Sequence, residues 1–220
     1  MLQDLSAYSV FQTFSTLVIP TANSIWAPLS GYQIRQHLLA SWEDLPAQAA
    51  LSAIRLYFLA FSAGCLGAIA AAHHWHCQGG SVGALLALDG WGVALAAPFP
   101  ISRLSHDRFT HGTSRLLGSQ GLDFYADPPV SHLDLWRQPS QVEGWQVVQP
   151  RSQLTHKADA RSVQPTRPLH QERSGMQDFS RPPSFSAEAP GQDLERGSIP
   201  TTAASFITAR LEEALLTGHE

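Results

Sequence analysis

Ile54-Arg-Leu-Tyr-Phe-Leu-Ala-Phe61-Ser62-Ala63-Gly64-Cys65-Leu66-Gly67 opens a span, Leu56 to Leu88, that holds no Asp, Glu, Lys or Arg. Apart from Arg55, Ile54–Phe61 is a continuous apolar run rich in aromatic and branched side chains, the pattern of a strand covered on both faces. From Ala63 to His74 the composition turns to alanine, which predicts a helix. Val82–Leu88 is apolar again and predicts a second strand. Two strands joined by a helix need a crossover connection, and that makes them parallel neighbours. Leu56–Ala72 approaches the ~20 apolar residues that cross a bilayer. Ser62, Gly64 and Gly67 divide the run, however, and its halves differ in composition, so no membrane span is expected.

Toward the amino end, Thr16–Pro20 reads as a short buried strand, Thr21–Leu29 as a loop, and Ile34, Leu38, Leu39 and Trp42 recur at helical spacing, with Pro46 just past the helix. The order is then βαβαβ, and the expected class is α/β, a mostly parallel sheet flanked by helices. Toward the carboxyl end, residues 149–200 contain seven Pro, seven Ser and six Gln, with large apolar residues scattered singly. Such a segment is expected to be disordered. Beyond it Phe206, Ile207, Leu211, Ala214 and Leu215 share one helical face, with Thr201 or Thr202 as N-cap and Gly218 as the stop. The expected organisation is a core over 1–148, the Pro/Ser/Gln-rich segment over 149–200, and an amphipathic helix over 201–217 that packs back on the core.

The 220 residues allow one domain with a tail. Charge is unevenly spread: of 14 Lys+Arg and 18 Asp+Glu, residues 1–102 hold only Asp4, Arg35, Glu43, Asp44, Arg55 and Asp89. The net charge of −4 argues against a nucleic-acid partner. Two cysteines, Cys65 and Cys77, are too few for a disulfide framework and suit a reducing compartment. Asp4 stands where a secretory leader would carry positive charge, so the expected location is the cytoplasm. No cofactor is expected, and a protein partner is left open through 149–200.

In open parallel sheets the working residues gather beyond the carboxyl ends of strands, which directs attention to Thr21, Ser62 and Asp89. Ala60-Phe61-Ser62-Ala63-Gly64 resembles the nucleophile elbow of the α/β-hydrolase superfamily, whose pattern is G-x-S-x-G, with Ala60 in place of the first glycine. Downstream, His132-Leu-Asp-Leu-Trp-Arg-Gln-Pro139 resembles the region of that family in which the catalytic histidine sits in a loop, followed after a proline by a last helix. Ser62, Asp89 and His132 also stand in the family's chain order of serine, acid and histidine.

The resemblance covers about residues 14–145. Phe61-Ser-Ala-Gly64, Leu88-Asp-Gly-Trp-Gly92 and Ser105-His-Asp-Arg-Phe-Thr-His111 are moreover similar to a branch of hydrolase-like proteins of cyanobacterial type, which brings no assigned substrate. What the resemblance implies is a serine hydrolase of esterase, thioesterase or lipase kind, acting on a small acyl substrate. Ser62 is then the nucleophile, His132 the base and Asp89 the acid that orients it. The Ala63 amide, with one near Thr21 or Ala22, would form the oxyanion hole. The family's acid usually lies one strand later, which makes Asp107 the next candidate and Asp127 the third, with His106 and His111 as reserve bases.

Two other readings compete. The fold could persist as a catalytically silent scaffold or binding protein, because strands after the nucleophile unit are hard to find in 95–131. Alternatively, Ser62-x-Gly64-x-x-Gly67, with Asp89 following Gly67 by 22 residues, approaches a dinucleotide fingerprint whose first glycine is replaced. His73/His74/His76/Cys77 and His106/Asp107/His111/Asp127/His132 are the two groups with side chains that can ligate a metal. A helix C-terminus favours histidine in the first case, nothing in the spacing demands an ion in the second, and no metal is assigned.

Overall fold

The computed structural model describes residues 1–19, 29–40, 54–118, 122–148 and 198–217. All belong to one compact unit built from Met1–Arg151 and Gln192–Glu220. In chain order its elements are α1 (Leu2–Leu5), α2 (Gly31–Ala40), β1 (Arg55–Phe61), α3 (Gly64–Cys77), β2 (Ser81–Leu88), β3 (Ile101–Ser105), α4 (Arg108–Ser114), β4 (Leu122–Ala126), α5 (His132–Arg137), β5 (Glu143–Val148), β6 (Ile199–Thr202) and α6 (Ala203–Leu216). The six strands form one sheet in sequential order. β1 to β4 are parallel, and β5 and β6 close the far edge antiparallel. The protein is therefore α/β with a mostly parallel sheet.

The charge-free span becomes β1, α3 and β2. β2 is buried on both faces, and its two-residue period divides it cleanly. Leu86 and Leu88 point into a core with Phe124, Phe206, Ile207 and Leu211, while Leu85 and Ala87 point into another with Ala68, Ala72, Leu95 and Ile101. Among the described residues no helix is long and apolar enough to cross a membrane. α2 packs on α3 through Ile34, Leu38 and Ala71, and Gly31 permits the approach, since a Cβ there would stand 2.6 Å from Ala70 Cβ.

α6 is capped by Thr202, whose hydroxyl accepts the Ser205 amide at 3.1 Å. It lays Phe206, Ile207, Leu211 and Ala214 on the sheet face opposite α3. Full burial of a side chain such as Phe206 contributes about 1.5–3 kcal/mol.

Three expectations are corrected. Thr16–Ile19 forms no strand; Leu17 and Val18 are 41% and 60% exposed, so a short β-branched run found no neighbour to pair with. Strands do exist within 95–131: β3 and β4 are only five residues each, and their patterns are broken by Arg103 and Asp123. Between β2 and β3 an irregular segment buries Val93, Leu95 and Phe99 on the α3 face. Ile199 and Pro200, assigned by composition to the non-packing segment, belong to β6, where backbone pairing with β5 outweighs composition and an outer strand tolerates proline. The rest of that segment, 149–197, lies outside the described residues, as do Thr21, Ala22, Pro46 and Gly218.

Candidate functional site

Ser62 and Asp89 occupy equivalent places on neighbouring strands. The Ser62 amide donates to Leu88 O at 2.8 Å as β1 ends, and the Asp89 amide donates to Leu104 O at 2.8 Å as β2 ends. Both residues have positive φ, 53° and 50°, and no other described non-glycine residue does. That region costs an L-residue about 1–2 kcal/mol. Its effect is to turn the chain sharply off the strand, so that two polar side chains rise side by side at the carboxyl edge. Gly90 completes the second turn against Cys65: a Cβ at Gly90 would stand 2.9 Å from both Cys65 Cβ and Sγ.

The Asp89 side chain is almost wholly buried, and its oxygens are fully engaged. Oδ1 accepts the His106 backbone N–H at 2.9 Å. Oδ2 lies 2.9 Å from His106 Nδ1 and 2.8 Å from His132 Nδ1. His106 follows β3 directly. His132 opens α5, which Ser131 caps by accepting the Asp134 amide at 3.1 Å. The Val130 amide donates to His106 O at 3.0 Å and so draws the start of α5 toward the end of β3. Phe61, the residue before Ser62, stacks on His132 with ring centroids 4.4 Å apart and on Trp136 at 5.0 Å. The imidazole of His132 thus lies beside the Ser62 turn, with its Nδ1 on the carboxylate.

Arg103 anchors this edge from within. Its guanidinium, 1% exposed, donates to Gly90 O at 3.1 Å, Val93 O at 3.1 Å and Gly118 O at 3.2 Å, which ties down the loop that begins at Asp89. Its own amide donates to the buried Asp123 carboxylate at 2.9 Å. Burial pushes the guanidinium below its usual range, and the Asp123 charge opposes that shift. Burial also pushes the Cys65 thiol up to about 12, with Arg103 opposing and Asp89 adding to the shift.

The remaining candidates separate. Asp107 is the N-cap of α4 and its Oδ2 is 3.1 Å from His106 Nε2. His111 is wholly buried on α4 beside the Tyr125 ring; desolvation, followed by the charges of Arg115 and Arg103, lowers its pKa to about 4. Asp127 accepts from the Trp145 indole at 3.0 Å. Ala63 caps α3, where helix amides lack intrahelical acceptors. The proline after α5 leads into a 3-10 turn, Pro139–Gln141, and then β5, not into the last helix.

Among the described residues, no hydrogen bond joins the Ser62 hydroxyl to either imidazole. At the other end of α3, His73 binds Ala96 O at 2.8 Å, and His73 and His76 pack on Phe99. A shallow depression at the amino ends of β2 and β3, lined by His76, Ser81 and Phe99, opens on the edge opposite Asp89. The two imidazoles converging on one carboxylate escaped the sequence reading, which supplied each residue but had no way to place His106 and His132 on the same oxygen. No protein-family model, curated protein or solved structure matches this chain.

Proposed function

We propose that this chain is a serine hydrolase of α/β-hydrolase type, acting on a carboxylic ester or related acyl bond. The observation that carries the reading is the 2.8 Å contact between Asp89 Oδ2 and His132 Nδ1, beside a serine held in a positive-φ turn on the adjoining strand. An Nδ1–H donated to the carboxylate leaves Nε2 of His132 as the basic nitrogen. Nε2 takes the proton of Ser62 Oγ as that oxygen attacks the carbonyl carbon, then returns it to the leaving group as the acyl bond breaks. Water, losing its proton to the same nitrogen, then attacks the acyl-Ser62 ester and releases the acid as Oγ regains the proton. Asp89 holds the tautomer and stabilises the imidazolium that forms. The Ala63 amide, at the positive end of α3, offers one donor for the oxyanion. Asp107 is the alternative acid through His106, its carboxylate lying on that ring.

A fluorophosphonate probe tests the proposal: the native chain should be labelled and Ser62→Ala should not, while equal labelling of both would refute Ser62 as nucleophile. The silent-scaffold reading draws on a different observation, the Ser62 hydroxyl that bonds neither ring; absence of label from the native chain would favour it. The dinucleotide reading has less support, because both oxygens of Asp89 are already engaged by His106 and His132. Thermal stabilisation by millimolar NAD or NADP would revive it.

A further inference from the structure

We propose that Asp89, His106 and His132 form a binding site for a divalent transition-metal ion, zinc by its donor set, and that the bound ion blocks the hydrolysis proposed above. Only the second half of this proposal rests on that reading. An acid that orients a catalytic base needs one imidazole, yet here two Nδ1 atoms converge on the same buried oxygen, at 2.8 and 2.9 Å. The three donor atoms lie within 4.8 Å of one another, and they are the only such group of three among the described residues.

Zinc binds imidazole nitrogen and carboxylate oxygen at about 2.0–2.2 Å, so tetrahedral donors stand roughly 3.3 Å apart. Opening each nitrogen–oxygen separation by about half an ångström admits the ion. Two imidazoles and a carboxylate suit zinc better than magnesium or calcium, which take all-oxygen sets. The donors come from the ends of β2 and β3 and the start of α5, held together by backbone hydrogen bonds. With the His106 and His132 side chains 26% and 42% exposed, the ion can enter and a fourth position faces solvent.

His106 supplies the second argument. Its Nδ1 faces Asp89 and its Nε2 faces Asp107 Oδ2 at 3.1 Å. A neutral ring has one N–H for these two carboxylates. With an ion held at Nδ1, the single N–H of the ring lies on Nε2 and donates to Asp107. That is the carboxylate–histidine–metal arrangement, in which the outer carboxylate fixes the tautomer and raises ligand basicity. The ion's effect on catalysis follows from the same atoms. Once Nδ1 of His132 is coordinated, the neutral ring keeps its proton on Nε2, and Nε2 can no longer accept one from Ser62.

The test is calorimetric titration of the chelator-treated full chain with zinc chloride, beside Asp107→Asn and His106→Gln, each checked for folding by circular dichroism. Asparagine preserves the cap of α4, so D107N should bind about tenfold more weakly, and H106Q should lose the site. No binding by the native chain, or unchanged affinity in both variants, would overturn the metal site. Fluorophosphonate labelling with and without saturating zinc reads the second half. Suppressed labelling of the native chain supports inhibition, and full labelling of the loaded protein overturns it. A native chain that binds zinc but is never labelled retains the metal site and loses both the hydrolase reading and the inhibition.

Discussion

Arg103 lies in the middle of a five-residue strand with every side chain buried, and its replacement by methionine isolates what the guanidinium does for the site. Methionine fills the apolar stem but leaves the carbonyls of Gly90, Val93 and Gly118 without this donor, and removes the Arg103 charge that faces Asp123. Hydrogen bonds from a charged donor contribute about 1.5–3 kcal/mol each, and the avoided desolvation of the guanidinium offsets part of their loss. Removing one member of a buried charged group generally costs about 3–5 kcal/mol, and that is the destabilisation expected for Arg103→Met. Against a typical total of about 5–15 kcal/mol this is a large fraction. Urea denaturation followed by far-ultraviolet circular dichroism should show a lower midpoint at unchanged slope. Arg103→Lys keeps the charge but not the fork that spans three carbonyls, and should fall between the two proteins. A loss below about 1 kcal/mol for R103M would refute the reasoning. It would mean that the loop after Asp89 is held by other contacts.

Three further outcomes are expected. His111 has a folded-state pKa of about 4 against 6.5 when unfolded, so the fold accepts only the neutral ring: its contribution is intact above pH 6.5 and is lost as pH falls toward 4. The loss should reach about 3 kcal/mol, and in His111→Gln the denaturation midpoint should fall less steeply through that window. Cys65 is buried with its thiol pushed up to about 12 whereas Cys77 is exposed, so a thiol reagent at pH 8 should titrate one cysteine in the native protein and two in denaturant. Two fast-reacting thiols in the native state would contradict the burial of Cys65. Gly90→Ala places a methyl 2.9 Å from the Cys65 side chain; the overpacking should cost about 1–3 kcal/mol in urea, and an unchanged midpoint would show that the turn yields freely.

How far the sequence could be read depended on length and on burial of the pattern. β1, α3, β2 and α6 were legible because each is at least seven residues long and carries a signal of its own, an apolar run for the two strands, an alanine-rich composition for α3 and an amphipathic stripe for α6. β3 and β4 were not. Arg103 and Asp123 interrupt them, and only the folded chain shows that these two charged groups are buried near one another with the loop carbonyls as acceptors. Thr16–Ile19 erred in the other direction: an apolar run records the capacity to be buried, while burial itself needs a surface to meet. At the candidate site, Ser62 and Asp89 were legible as residues at strand ends, since that position follows from a parallel sheet. His132 as the base beside Asp89, and His106 as its reserve, came only through the family resemblance, and nothing in the sequence put both rings on one oxygen.

The local order of the chain, a buried strand, a tight turn at Ser62, an alanine-rich helix and a second buried strand ending at Asp89, was determined by the sequence alone, because hydrophobic period and small residues at turns act over a few positions. The meeting of His106 and His132 on one carboxylate oxygen was decided only by the tertiary structure. Those rings lie 17 and 43 residues from Asp89 along the chain, and what brings them together is the sequential pairing of β2, β3 and β4 and the capped start of α5. Local patterns carry no information about such closures, for these depend on which distant surfaces are buried together.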